Sequence, residues 1–181
     1  VSWHCGGIKF TTAVASHGEA NVNSLLDISY RFENLSQQPL DFEFFILIRP
    51  FQVNPYYQWL NLTGGAGRIN AIGEDDSYAG KVIAVDDKYL VSHQNYDDFR
   101  ALALDEGNIP AILMQGKMPD SIAVENEKGL ACGVIRYNMH LEPFGDDACM
   151  VTVPFYGKEG IDQVFKRSAY QGLDETRAFW E

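Results

Sequence analysis

The sequence lacks the short motifs that mark the commonest catalytic and nucleotide-binding sites. It contains no G-x-S-x-G, no H-E-x-x-H and no Walker loop. Residues 63–67 resemble a phosphate-binding loop only in their glycine content, because neither a Lys-Ser/Thr pair nor a helix start follows them. On this basis we predict no catalytic residue, no metal ligand and no cofactor in this chain.

Basic residues are scarce. The chain has 14 Lys and Arg residues against 25 Asp and Glu residues, which gives a net charge of −11. No cluster of cations is present to displace counterions from phosphates, so we exclude nucleic acid as a partner. The longest apolar runs, such as residues 44–48, are too short to cross a bilayer. The 181 residues, of which 46% are hydrophobic, instead predict one folded domain with a substantial core.

A secretion signal is also missing from the start of the sequence. No basic segment followed by an apolar stretch opens the chain, and residue 1 is valine rather than methionine. We therefore expect the chain to be a processed or excised piece of a longer protein, from which any targeting signal has been removed.

Only three cysteines are present, and no two of them form a C-x-x-C pair. This pattern fits neither a zinc site nor a disulfide framework. If residues 130–141 and 148–156 formed a hairpin, Cys132 and Cys149 would lie about 25 Å apart along the ladder. A disulfide needs Cα atoms within about 7 Å. We therefore predict that Cys5, Cys132 and Cys149 are buried free thiols.

Two consecutive segments within residues 25–49 alternate apolar and polar side chains with the period of a half-buried strand. Turn-forming residues separate the two segments, so we predict a β-hairpin. A register with Phe32 opposite Phe42 matches every apolar pair of the two strands. The same register sets Arg31 beside Glu43 on the other face.

The second of these segments carries Phe45 and Leu47 on its opposite face, which must therefore be covered as well. Short strands separated by Gly, Asp and Asn clusters, without intervening helices, predict an all-β fold. We expect an antiparallel β-sandwich over residues 1–159. The further strand candidates are residues 8–15, 69–72, 81–85, 130–141 and 148–156.

The last part of the chain has a different, helical pattern. Ile161, Val164 and Phe165 share one helical face, and Asp174 is a suitable N-cap for the residues that follow it. We therefore predict a short C-terminal helical segment over residues 160–181. We expect this segment to be a linker leading into a further, helical domain, which would be a partner within the same protein.

The four histidines are scattered, and none is paired with another at metal-ligand spacing. A strand histidine such as His140 has the chemistry of an acid catalyst or a metal ligand. We nevertheless favour a surface or hydrogen-bonded structural role for it. Pairs of adjacent acids occur in several predicted loops, where solvation explains them without catalysis or calcium binding.

One passage, residues 48–61, combines two prolines with several aromatic and amide side chains. Flat aromatic faces beside amide and guanidinium groups suit a sugar ring, which has apolar faces and a hydroxyl rim. We favour a structural or interface role, with Trp59 as an integral part of the fold, and keep a sugar site as the alternative. The candidate residues are Arg49, Gln52, Asn54, Tyr56, Tyr57, Trp59 and Asn61.

Parts of the sequence resemble a recurring bacterial pattern. They are D-I-S-Y-R-F-E-N at residues 27–34 and F-I-L-I-R-P-F-Q-V-N-P at residues 45–55, with Gly64, Gly65 and Ile69 after them. This pattern is similar to the β-rich domain that precedes the (α/α)6 barrel of six-hairpin glycosidase-like proteins, some of which are labelled coagulation factor 5/8 type. Related domains precede the barrels of cellobiose-phosphorylase-like and cyclic-glucan-synthase-like enzymes.

The resemblance implies a galactose-mutarotase-like supersandwich. Residues 176–181 also resemble the linker helix that enters the barrel in these proteins. In such enzymes the catalytic carboxylates lie on barrel loops and the sandwich supports the barrel, so the resemblance places no catalytic residue on this chain. Supersandwich domains are usually larger than this chain, which is a departure from the family pattern.

The leading hypothesis is therefore a non-catalytic β-sandwich domain of a glycoside hydrolase-like or phosphorylase-like protein. It would support a helical barrel, and an oligosaccharide is its candidate ligand. One alternative is a free-standing mutarotase-like epimerase, which would need two histidines and a carboxylate in one cleft. Another is a free-standing carbohydrate-binding module. The compartment is open, and the family analogy favours the periplasm or secretion.

Overall fold

The computed structural model describes residues 1–19, 22–52, 66–168 and 170–180. The helices are α1 (Ile109–Leu113), α2 (Glu159–Lys166) and α3 (Gln171–Trp180), and a 3₁₀ turn lies at Asp76–Tyr78. The strands are β1 (Ser2–Cys5), β2 (Ile8–His17), β3 (Leu25–Asn34), β4 (Leu40–Ile48), β5 (Phe51–Gln52), β6 (Ala66–Gly67), β7 (Ala71–Glu74), β8 (Val82–Val85), β9 (Lys88–Ser92), β10 (Asp98–Ala103), β11 (Ala123–Glu125), β12 (Ala131–Leu141) and β13 (Asp146–Pro154).

The strands form two facing sheets and a small ribbon. The larger sheet has the order β1-β2-β3-β13-β9-β8-β7-β11, the smaller has the order β10-β12-β4, and β5 pairs with β6. Every pair of neighbouring strands is antiparallel. The predicted all-β antiparallel sandwich with a short C-terminal helical segment is thus confirmed. Within the described ranges, helix before residue 159 is limited to the five residues of α1 and the 3₁₀ turn.

The predicted hairpin between β3 and β4 is wrong. Strand β3 pairs with β2 and β13, whereas β4 pairs with β12 in the opposite sheet. The rings of Phe32 and Phe42 still meet, at a centroid distance of 5.2 Å, but they do so across the sandwich. Apolar alternation fixes which face of a strand is buried, and it fits a facing strand as well as a neighbouring one.

The charged side chains follow the observed pairing rather than the predicted one. Arg31 pairs with Asp146 of β13 at 3.1 Å, and Glu43 pairs with Arg136 of β12 at 3.2 Å. The predicted neighbours Arg31 and Glu43 therefore lie in different sheets. Strands β12 and β13 likewise lie in opposite sheets, so residues 130–141 and 148–156 do not form a hairpin.

Asn34 explains why the chain crosses between the sheets at this point. Its buried side-chain Nδ2 donates to the carbonyl oxygens of Gln38 at 2.7 Å and Glu142 at 2.9 Å. Its Oδ1 accepts from the backbone N–H and the hydroxyl of Ser36 at 2.9 and 2.8 Å. One side chain thus ties the β3–β4 connection to the β12–β13 connection, and it satisfies backbone groups that no sheet ladder can reach.

The three cysteines are free thiols, as predicted. Cys132 is in the smaller sheet and Cys149 is in the larger one, and both are buried. Cys5 is exposed, so the prediction that it is buried is wrong. It lies in β1, at the outer edge of the larger sheet, where no further strand covers it among the described residues.

The main core lies between the two sheets and is rich in aromatic rings, including Phe32 and Tyr137. The outer face of the smaller sheet has its own cover. Phe45 and Leu47 pack there with Ile109 and Leu113 of α1, which confirms that this face is buried by another element. The predicted second apolar face of β4 was therefore a real packing surface.

Helices α2 and α3 lie on the outer face of the larger sheet. Ile161 and Val164 of α2 are fully buried against an apolar cluster from the sheet, whereas Phe165 is partly exposed and contacts the Tyr78 ring. The predicted N-cap at Asp174 is wrong, because α3 begins at Gln171 and Asp174 lies within its first turn.

Candidate functional site

The structure describes the amino-terminal part of the aromatic passage. Arg49 follows the end of β4 and is exposed. Gln52 belongs to β5, where its backbone pairs with that of Ala66. Five candidate residues lie outside the described residues, and their roles stay predictions: Asn54, Tyr56, Tyr57, Trp59 and Asn61.

Arg49 borders an open depression of about 390 Å³, which we call the Arg49 depression. Four parts of the chain form it: the β4–β5 connection with the start of β5, the end of β6, the residue after β10, and the turn that precedes β12. Its charged lining residues are all cations among the described residues. The lining consists of Arg49, Pro50, Phe51, Gly67, Arg68, Leu104, Lys128, Gly129 and Leu130.

Two apolar side chains of the depression are open to solvent. Phe51 is 65% exposed and Leu104 is 39% exposed, whereas most large apolar side chains of this fold pack inside the sandwich. The backbone of Phe51 pairs with that of Gly67 in the β5–β6 ribbon, and this pairing fixes the position of the Phe51 Cα atom. An exposed aromatic face beside guanidinium groups is the arrangement that contacts a sugar ring through its apolar side.

The turn before β12 holds the basic side of the depression. The Asn126 side chain accepts the backbone N–H of Lys128 at 3.0 Å and of Leu130 at 3.2 Å. Gly129 has φ +76°, and a Cβ at this position would overlap the side-chain stem of Arg68. Only glycine therefore suits this position, both for its backbone conformation and for its contact with Arg68.

A second polar cluster lies on the outer face of the larger sheet, and we call it the Asp27 network. It consists of His17, Asp27, His93, Thr152 and Arg167. The Asp27 carboxylate accepts from Thr152 Oγ1 at 2.6 Å, and it lies 2.7 Å from His17 Nε2 and 3.4 Å from Arg167 Nη2. No pattern in the sequence predicts that these residues meet, since Asp27 and Arg167 are 140 positions apart.

The hydrogen bonds of the network assign a tautomer to His93. Its Nε2 lies 2.8 Å from Thr152 Oγ1. The threonine hydroxyl has one hydrogen, which it donates to Asp27, so His93 Nε2 must donate to the hydroxyl oxygen. Burial lowers the pKa of His93, the Asp27 carboxylate partly offsets this, and the cations Arg167 and Lys81 lower the pKa further. The neutral Nε2–H form is therefore favoured.

The Asp27 network is closed to a substrate. Asp27 is fully buried, and Gly172 of α3 lies directly over the contact between His17 and Asp27. A Cβ on Gly172 would overlap both His17 Nε2 and Asp27 Oδ2, so no space for a ligand atom remains there. A buried carboxylate is costly unless several donors satisfy it. The network meets this requirement, and Gly172 of α3 packs directly against it.

His140 is a surface residue, as predicted. Its Nδ1 lies 2.6 Å from Asp41 and its Nε2 lies 3.4 Å from Glu142. These two carboxylates raise the pKa of His140 by stabilising the imidazolium. Within the part of the chain that the structure describes, no three His, Cys, Asp or Glu side chains gather as a metal site.

Sequence reasoning missed Arg68, Lys128 and the Asp27 network. Arg68 and Lys128 stand beside glycine-containing segments, and a basic residue next to a tight turn is a weak signal of a shaped cationic surface. For Asp27 the available signal was a carboxylate near the start of an otherwise well-patterned strand. None of the described helices has the length and apolar character that a membrane crossing requires.

No family model matches the chain, and no curated protein matches it either.

Proposed function

We propose that this chain is a non-catalytic β-sandwich domain of a carbohydrate-active protein that contacts glycan at the Arg49 depression. The observation that carries the proposal is the Phe51 ring, which is 65% exposed in an open depression that Arg49 also lines. A volume of about 390 Å³ is within the range of small-ligand sites, about 300–1,000 Å³. Its aromatic face and cationic rim suit a sugar ring better than an apolar ligand.

The hydrogen bonding of two polar clusters supports the proposal that the domain is non-catalytic. The Asp27 network is saturated by its own donors and covered by α3, and His140 is paired with two carboxylates at the surface. A general acid or base must be within hydrogen-bond reach of a bound substrate. Asp27 is fully buried and offers no such access, whereas the exposed His140 imidazole already faces the Asp41 and Glu142 carboxylates.

The second part of the proposal is that the sandwich supports a helical domain. The outer face of the larger sheet already carries α2 and α3, which pack there through an apolar cluster and the Asp27 network. This use of a sandwich face agrees with the resemblance to the domains that precede helical barrels. The face is thus suited to orient a helical region relative to the sandwich.

A glycan-binding experiment on matched variants tests the proposal. The wild-type protein and Phe51→Ala are applied to an array of plant and bacterial oligosaccharides, and Phe155→Ala serves as the control, since Phe155 is 55% exposed away from the depression. We expect binding that Phe51→Ala weakens at least about fivefold, in line with about 1 kcal/mol for an aromatic contact, and that Phe155→Ala leaves unchanged. Absence of binding, or equal loss in both variants, would refute the glycan contact.

One observation favours the epimerase as a second candidate. The structure brings two histidines and a carboxylate together as His17, His93 and Asp27, which is the set that a mutarotase-like reaction requires. The enclosure by Gly172 argues against it. Mutarotation of glucose and galactose, measured by polarimetry, decides between the two: turnover that Asp27→Asn abolishes would place the epimerase first.

A further inference from the structure

The charge of the Arg49 depression indicates more about its ligand than the exposed ring does. The protein has a net charge of −11, yet the charged groups lining this depression are Arg49, Arg68 and Lys128 among the described residues. An acidic protein that gathers cations around one aromatic surface favours an anion there. A neutral sugar can accept hydrogen bonds from these groups through its hydroxyls, but it carries no negative charge to pair with their positive charge.

The three cations differ in how much charge they can offer. Lys128 Nζ is 2.8 Å from the Asp105 carboxylate, which lies outside the lining and neutralises it in part. The two guanidinium groups therefore carry most of the positive field. A guanidinium binds a carboxylate through two parallel hydrogen bonds, which gives both orientation and strength.

The basic side is also held in place by the backbone. The stem of Arg68 lies against Gly129, and the N–H of Ile69, the next residue, donates to the Gly129 carbonyl at 3.1 Å. The turn that carries Lys128 is fixed by the Asn126 side chain. Preorganised groups lose less conformational freedom on binding, so this surface is suited to a specific ligand rather than to loose counterions.

We propose that the Arg49 depression binds an acidic sugar, a uronate, with its carboxylate on the guanidinium groups of Arg49 and Arg68 and its ring on Phe51. This inference rests on the proposed function and names the class of glycan. A uronate is the ligand that uses both features of the surface, because it combines an apolar pyranose face with a carboxylate. An acidic peptide would use the cations but not the flat aromatic platform.

The test measures binding of uronate oligomers by isothermal titration calorimetry. Trimers of galacturonate, glucuronate-containing hyaluronan and alginate are each compared with their methyl esters, which keep the ring shape and lose the charge. We expect at least one acid form to bind about tenfold or more tightly than its ester, and we expect 0.5 M NaCl to weaken it. Arg68→Gln should reduce the affinity at least about tenfold and Phe51→Ala about fivefold. Arg31→Gln, which removes the same charge from the outer face of the larger sheet, should leave the affinity unchanged.

The outcomes separate this inference from the proposed function. Equal affinity for an acid and its ester, still dependent on Phe51, would overturn the uronate inference and leave the glycan contact standing. Absence of binding to any acidic or neutral glycan would overturn both. Tight binding of hexaglutamate that depends on Arg68 but not on Phe51, with no uronate preference, would identify an acidic-peptide site and would also overturn the inference.

Discussion

Replacing Gly172 by alanine is the sharpest test of how α3 is held against the sandwich. The added Cβ would lie well under 3.0 Å from both His17 Nε2 and Asp27 Oδ2, a separation that real Cβ atoms do not show. Either the helix moves away from the sheet or the contact between His17 and Asp27 opens. Both responses disturb a carboxylate that is fully buried.

Two effects of opposite sign decide the magnitude. Alanine is favoured over glycine in a helix by up to about 1 kcal/mol. Overpacking a close contact costs about 1–3 kcal/mol, and weakening the buried hydrogen bond between His17 and Asp27 adds to that cost. We expect the packing cost to win, with Gly172→Ala lowering the free energy of unfolding by about 1–2 kcal/mol.

A urea melt measures the effect. With a slope of about 2 kcal/mol per M for a protein of this size, the midpoint should fall by about 0.5–1 M. Ala178→Gly is the control, since Ala178 is exposed on the same helix and the change reports helix propensity alone. In a His17→Ala background the cost of Gly172→Ala should shrink, because the clashing ring is gone. A variant as stable as the wild type, or an unchanged cost without His17, would refute the reasoning.

Three further predictions follow from buried groups. Ellman's reagent should titrate one thiol, Cys5, in the native protein and three thiols in urea. Cys132 and Cys149 are buried, and burial raises the pKa of both, that of Cys149 to about 12. More than one fast-reacting thiol in the native protein would contradict this. Burial lowers the pKa of His93, so the unfolded chain takes up its proton near pH 6.5 before the folded chain does. Lowering the pH from about 7.5 to 5.5 should therefore destabilise the wild type more than His93→Gln in paired urea melts, and equal pH slopes would contradict the assignment. Asn34→Ala removes the hydrogen bonds that join the β3–β4 and β12–β13 connections, and it should lower the free energy of unfolding by at least about 2 kcal/mol in thermal or urea melts. A decrease under about 0.5 kcal/mol would show that these connections are stable without the Asn34 side chain.

Only part of the candidate site could be predicted from the sequence. Arg49 was identified from the composition of its own segment, because aromatic and basic residues close in sequence form a recognisable pattern. Arg68 and Lys128 were not, because they reach the depression from other parts of the chain. The Asp27 network was hidden for the same reason, since its members come from β2, β3, β13 and the segments that follow β9 and α2.

The sequence by itself determined which faces of the strands are apolar, that the fold is all-β, and that an amphipathic helix follows the sandwich. These properties depend on the alternation and periodicity of neighbouring residues, which act over a few positions. Only the tertiary structure decided that Phe32 and Phe42 meet across the core and that Asp27 lies beneath α3. Sheet pairing is chosen by the total packing of both sheets and by the crossings at Asn34. Alternation within one segment is equally compatible with a neighbour in the same sheet and with a partner across the sandwich.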